Sequence, residues 1–182
     1  MRLHGKWFRR GARGYAVQAA VSLALGLAAG LVCALAADGT AVVFAAGRLT
    51  LYLQSSPQGG AAAFPEAFVK HLRTGAAVWL LGFVPRVPWL GYVLCAGKAA
   101  AFGLAVGLFG RAFGIWGVQK ALALTGLQQL LLLSVTGCAA AGCRLFAARE
   151  LPGKAYALLG AGMAATAGIA AAMDVFLWRA LI

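Results

Sequence analysis

Acidic residues are scarce in this chain of 182 residues, with four Asp and Glu against sixteen Lys and Arg. Charged residues make up only 11% of the sequence, whereas a water-soluble domain carries about a quarter. So few charges cannot cover a surface that faces water, which excludes a soluble globular domain. The sequence also lacks a His, Cys and carboxylate cluster, a phosphate-binding loop and a nucleophile beside a base. We therefore expect no metal, no cofactor and no catalytic residue, and we predict that the chain is not an enzyme.

Apolar residues are abundant instead and make up 63% of the chain. Several apolar runs approach or exceed the ~20 residues that cross a hydrocarbon core. The sequence predicts an all-α, polytopic integral membrane protein of about five transmembrane helices, which form a single domain over residues 1–182. The net charge of +12 indicates contact with anionic lipid rather than nucleic acid, because a basic tail at 1–14 directly precedes an apolar span.

The predicted spans follow one another with short connections. They cover residues 15–37, 65–84, 89–109, 116–146 and 156–178. The fourth is too long for one straight crossing, and its Thr125-Gly126 step predicts a break or a kink. The basic tail places the N-terminus in the cytoplasm, and an odd number of spans then places the C-terminus outside.

The longest polar connection, residues 38–73, is predicted to lie outside the cytoplasm. A flexible turn, SSPQGG at 55–60, separates two amphipathic segments that we expect at the membrane interface. His71, in the second segment, is interpreted as a lone histidine at a membrane boundary.

Three apolar side chains recur every four residues in the second amphipathic segment: Phe64, Phe68 and Leu72. We expect them to be exposed and to be candidates for partner binding, because apolar and aromatic anchors dominate interface energies. Burial in the lipid headgroups is the alternative.

Small residues recur at multiples of four positions in three spans, a spacing that lets a neighbouring helix backbone approach closely. They are Gly26 and Gly30 in the first span, Gly91, Ala99, Gly103 and Gly107 in the third, and Gly160 and Gly168 in the fifth. This pattern predicts a tight bundle or a homo-oligomer. The abundance of Ala and Gly leaves a chance pattern as the alternative.

Polar residues inside the predicted spans are candidates for intramembrane function. Lys98 lies in the middle of the third span, where a lysine costs roughly 2.5–3.5 kcal/mol. Its helical angle predicts that it faces protein, either bound to backbone carbonyls or serving assembly, gating or a proton relay. Gln128 and Gln129 follow the predicted break and favour interhelical hydrogen bonds. Asp174 is expected to reach the outer interface.

A resemblance to a known family is carried by the run AFVKHLRTGAAVWLLGFVPRVPWLGYVLCAGKAAAFGLAVGLFGRAFGIWG. Its basic entry at His71, its Trp-Leu-Leu-Gly step at 79–82, its short turn and its third span with Lys98 resemble the stage II sporulation protein M family of endospore-forming bacteria. The LQQLLLL run at 127–133 is similar to the family's proline, glutamine, asparagine and leucine stretch, although leucine replaces the proline. The similarity covers about residues 66–140.

The resemblance implies a non-enzymatic membrane scaffold of the engulfment machinery. Family members recruit two peptidoglycan hydrolases, the stage II sporulation proteins D and P, to the septal membrane of the mother cell. A small transporter or channel component is the alternative, and Lys98, Gln128, Gln129 and Asp174 would line its polar pathway. The few polar residues and the lack of an evident inverted repeat favour the scaffold.

Overall fold

The chain folds into helices, because a backbone in lipid must satisfy its own N–H and C=O groups. The computed structural model describes residues 4–54 and 63–177, and it contains no strand in these ranges. The α-helices are α1 (His4–Ala36), α2 (Gly39–Gln54), α3 (Phe64–Leu80), α4 (Leu90–Ala121), α5 (Leu127–Ala147) and α6 (Gly153–Ala172). The predicted all-α fold class is confirmed, and the predicted turn at 55–60 lies outside the described residues.

Among the described residues, four helical segments are long and apolar enough to cross a bilayer: Ala12–Ala36, Leu90–Ala121, Leu127–Ala147 and Gly153–Val175. The protein is therefore a multi-pass membrane protein. α3 has only 17 residues, but a 3-10 turn, Leu81–Phe83, extends it, and it packs alongside α5 and α6 as the fifth helix of the bundle. α1 already begins at His4, so the basic tail is helical and continuous with the first span rather than separate from it.

α1 and α4 run parallel and form the most extensive helix pair of the bundle. At one end, the Tyr92 hydroxyl donates a hydrogen bond to the Tyr15 carbonyl oxygen at 3.3 Å. At the other end, Arg111 of α4 donates to the carbonyl oxygen of Ala34 at 2.8 Å. We call these the proximal end, near Tyr15, and the distal end, near Arg111.

α5 runs antiparallel to α4 and is the most buried of the apolar spans. The Cys95 thiol donates to the Thr136 carbonyl oxygen at 3.3 Å, and the Cys143 thiol lies 3.8 Å from the Pro88 carbonyl oxygen at the proximal end. α5 therefore returns toward the proximal end.

α3 and α6 also run antiparallel to each other. Trp79 of α3 donates to the Tyr156 carbonyl oxygen at 3.0 Å, and its ring stacks on the Tyr156 ring at 5.5 Å at the proximal end. His71 of α3 meets Asp174, beyond α6, toward the distal end. Gly142 of α5 lies against Leu159 of α6, and Gln128 bonds Ala170, so α6 is antiparallel to α5. The five bundle helices therefore alternate in direction.

Gly114 reverses the chain within α4. Its φ of 62° and ψ of −149° lie in a region that is essentially restricted to glycine. The helix after it folds back, so that a Cβ at Gly110 would lie 3.0 Å from the Val118 side chain. The third crossing is therefore 90–113 and the fourth 115–147, close to the predicted spans.

The small-residue pattern brings the backbones of α1 and α4 into direct contact. A Cβ added at Gly26 would overlap the carbonyl group of Ala96, and one at Gly30 would overlap that of Ala100. A Cβ at Gly103 of α4 would likewise overlap the Leu27 carbonyl group. Any larger side chain at these positions would separate the helices.

The remaining positions of the pattern are also packing positions. Gly107 lies against Ala34, Gly91 against Val78 and Ala140, Gly160 against the Trp79 ring and Gly168 against Phe68, while Ala99 is buried. The predicted tight bundle is confirmed within a single chain.

α2 is anchored to the bundle at its first turn. Asp38 accepts hydrogen bonds from the Thr40 hydroxyl at 2.5 Å and from the Ala41 amide at 2.9 Å, a helix N-cap. These hydrogen bonds hold the pKa of Asp38 below its usual value. Arg111 also donates to the carbonyl oxygen of Ala37, which lies between α1 and this cap, at 2.5 Å.

Candidate functional site

Three polar side chains from separate helical elements meet inside the bundle. His71 of α3 is 7% exposed, and Gln128, the second residue of α5, is 3% exposed. Asp174 belongs to the π-helical turn Met173–Leu177 that follows α6. The His71 Nε2 atom lies 2.7 Å from Asp174 Oδ2 and 2.8 Å from Gln128 Nε2. We call these three residues the polar cluster.

The Gln128 amide has a defined orientation in this cluster. Its nitrogen donates a hydrogen bond to the Ala170 carbonyl oxygen at 2.9 Å, so the amide nitrogen and not the amide oxygen faces Ala170. The second N–H of the same amide nitrogen is then available to the His71 ring nitrogen. The cluster thereby links α3, α5 and α6 through the buried side chains of His71 and Gln128 and the partly exposed side chain of Asp174.

The position of one proton decides how the cluster is bonded. When His71 Nε2 carries the proton, the ring donates to Asp174 Oδ2, and one Gln128 N–H has no acceptor in the cluster. When Nε2 is unprotonated, its single lone pair accepts one of the two contacts and not both. The histidine tautomer therefore selects which neighbour His71 bonds.

Two π-helical turns position the cluster. One, Leu122–Gly126, precedes Gln128 by two residues, and the other contains Asp174. An extra residue per turn rotates the following side chains relative to a regular α-helix, and such turns are frequent at functional sites. The predicted break at Thr125-Gly126 is this π-helical turn, and the helix continues through it. Gln129 is half-buried and lies outside the cluster.

A small cavity of about 10 Å³ adjoins His71, room for the centre of about one water molecule. The hydroxyl groups of Thr136 and Thr166 line it, and each donates to a carbonyl oxygen of its own helix. In the described part of the chain, no three His, Cys, Asp or Glu side chains group so as to hold a metal ion.

Two interpretations of these residues were wrong. His71 is not alone at a membrane boundary, and Asp174 points to His71 instead of reaching the interface. The spacing of His71 from Gly75 and Val78 is the sequence feature that indicates its burial, because these three residues share the buried face of α3. The partners could not be predicted, since they depend on where the π-helical turns occur.

Lys98 lies at the edge of the buried face of α4 and not within it. Its side chain is half-buried, between buried Cys95 and exposed Leu94. No hydrogen bond or ion pair joins its ammonium group to any other residue that the structure describes. Lys98 is therefore separate from the polar cluster, and the expectation that it faces protein is met only in part.

Phe64, Phe68 and Leu72 are half-buried, so the expectation that they are exposed is wrong. A Cβ at Gly168 of α6 would lie 3.9 Å from the Phe68 ring, and Leu72 lines an apolar groove of about 300 Å³ between α3 and α6. Phe68 and Leu72 face α6, and Phe64 stacks on Phe68, because α3 buries its apolar face against the bundle rather than lying free at the interface.

Three charged residues, Glu66, Lys70 and Arg73, are exposed in the first half of α3, together with Pro65 and Val69.

No family model matches the chain, and neither does any curated protein or solved structure.

Proposed function

We propose that the chain is a non-enzymatic membrane scaffold of the sporulation engulfment machinery. It recruits the peptidoglycan hydrolases, stage II sporulation proteins D and P, to the septal membrane of the mother cell, with its N-terminus in the cytoplasm. The resemblance over residues 66–140 supports the biological setting. The observation that carries the scaffold is the packing of α1 on α4, where Gly26 and Gly30 bring two backbones into contact.

A bundle closed in this way supports a rigid platform rather than a pathway for solutes. A transporter requires polar groups that line a route through the membrane. In the described residues, Lys98 and the polar cluster belong to different parts of the bundle and share no hydrogen bond. The residues of α4 beside Lys98 that face the bundle, Cys95 and Ala99, are small and fully buried.

The distal end offers a surface for the hydrolases. With the N-terminus in the cytoplasm, the exposed residues Val69, Lys70 and Arg73 at the start of α3 lie toward the outer side. Phe64, Phe68 and Leu72 then serve to position α3 on α6 rather than to contact the partners directly.

Proton-coupled transport is the second candidate, and the polar cluster favours it. An intramembrane His and Asp in direct contact are typical of proton relays. A relay requires the proton to reach both sides, whereas the described cavity beside His71 accommodates about one water molecule.

Co-purification tests the scaffold. The tagged full chain is co-expressed with both hydrolases and isolated in a mild detergent, and we expect both to be recovered. Lys70→Glu should lower their recovery, whereas Lys120→Glu, an exposed lysine of another helix at the same end, should not. Absence of both hydrolases from the wild-type preparation would contradict the proposal. Proton uptake into proteoliposomes that is lost in Asp174→Asn would favour transport instead.

A further inference from the structure

Lys98 brings a positive charge into the hydrocarbon region. It follows the start of α4 at Leu90 by eight residues, or about 12 Å at ~1.5 Å per residue. The helix continues beyond it for about 22 Å at the same rise before it turns at Gly114. An ammonium group at this depth requires an anionic or polar partner.

This chain has no carboxylate at that depth. Its four acidic residues are Asp38, Glu66, Glu150 and Asp174. Asp38 caps α2 and Glu66 lies in the first turn of α3, both toward the distal end, while Glu150 follows α5 at the proximal end. Asp174 already bonds His71. A second copy aligned in the same membrane would present the same set, so it would not neutralise Lys98 either.

The surface around Lys98 allows a helix to approach closely. Leu94, Gly97 and Ala101 are exposed and lie on the side of α4 next to Lys98. Gly97 and Ala101 are spaced four residues apart, and a Cβ at Gly97 would meet nothing within 4 Å. Unlike the glycines against α1, these small residues have no partner helix in the described bundle.

We infer that Lys98 and its exposed neighbours bind a transmembrane helix of a different protein, one that carries an Asp or Glu side chain at matching depth. The inference rests on the proposed scaffold function and names the chemistry of one partner contact. Pairing of the two charges in lipid removes the cost of leaving each alone, and small residues beside Lys98 let the carboxylate reach the ammonium group.

A synthetic helix tests this directly. The full chain, carrying a donor dye, is reconstituted in phosphatidylcholine vesicles with an acceptor-labelled single-span Leu/Ala peptide that contains one central Asp. Energy transfer should report binding about tenfold tighter than that of the same peptide with a central Leu. Moving the Asp to the end of the peptide should remove the advantage.

Variants identify the residue responsible. Lys98→Leu should reduce the binding of the Asp peptide to that of the Leu peptide, and Lys98→Arg should retain it. Lys120→Leu is the matched control, because Lys120 is exposed toward the distal end of the bundle and should not contribute to binding of the peptide. Equal binding of the Asp and Leu peptides, or unchanged binding in Lys98→Leu, would overturn the inference.

Further outcomes separate this inference from the scaffold itself. Dimers of the chain that form without peptide and depend on Lys98 would overturn the inference. It would also be overturned if the Asp peptide bound no better than the Leu peptide in vesicles that contain anionic lipid, because the lipid would then supply the counter-charge. If the wild-type chain and Lys98→Leu recover both hydrolases equally well, the Lys98 contact is overturned and the scaffold function is not. Failure of the wild-type chain to recover the hydrolases would contradict the scaffold, whatever the peptide does.

Discussion

Replacing Gln128 tests the polar cluster most sharply, because the neighbouring Gln129 provides a control of identical chemistry. Gln128 is 3% exposed and bonds both His71 and the Ala170 carbonyl oxygen. Gln128→Leu removes both hydrogen bonds, although the Ala170 carbonyl oxygen keeps the backbone N–H of Met173 as a donor. Interhelical hydrogen bonds in membranes contribute about 0.6 kcal/mol each on average. We therefore expect Gln128→Leu to lower the free energy of unfolding by about 1 kcal/mol.

The measurement is equilibrium unfolding by SDS in mixed micelles, followed by circular dichroism. Gln129→Leu should change the free energy of unfolding by less than about 0.5 kcal/mol, because Gln129 lies outside the cluster. His71→Leu and Asp174→Leu should each destabilise, and the double variant should cost less than their sum by about 1 kcal/mol, since the two side chains share one contact. Equal effects of the two glutamine variants, or strict additivity of the other two, would refute the cluster.

Other features of the fold give three more predictions. Gly114→Ala should destabilise the protein by about 1–3 kcal/mol because of its backbone conformation, whereas Gly97→Ala, in an open helical position, should be neutral or stabilising in the same unfolding assay. Arg111→Leu should increase hydrogen exchange at the α1–α2 junction, since Arg111 bonds the last α1 carbonyl oxygens; unchanged exchange would show that this contact is dispensable. Single cysteines at Lys154 and Gly39 in a cysteine-free chain should react with an impermeant maleimide from opposite sides, and labelling from one side would contradict the alternating crossings.

The bundle could be predicted because its determinants are local in sequence. Apolar run lengths gave the crossings, and the spacing of Gly26, Gly30 and Gly103 predicted close helix contact. The pattern did not say which helices meet, because any two small-residue faces are compatible. The parallel pairing of α1 and α4 depends on the whole order of the bundle.

The cluster could be predicted only in part. Gln128 was a candidate because amides in lipid require partners, but the rotation given by the π-helical turn selects it over Gln129. The sequence did not identify His71 as part of a site, because its segment reads as an interfacial helix. In the structure α3 continues into the bundle and buries the face that carries His71. The same misassignment explains why Phe68 was expected to be exposed.

Recruitment in cells is the decisive measurement for the scaffold. A sporulating host that lacks its own stage II protein M is complemented with this chain, and fluorescent stage II proteins D and P are imaged at the septum. We predict that the wild-type chain restores septal foci of both hydrolases. We also predict that Lys70→Glu lowers them while Lys120→Glu does not. Dispersed hydrolases in cells whose septal membrane contains the wild-type chain would contradict the scaffold function.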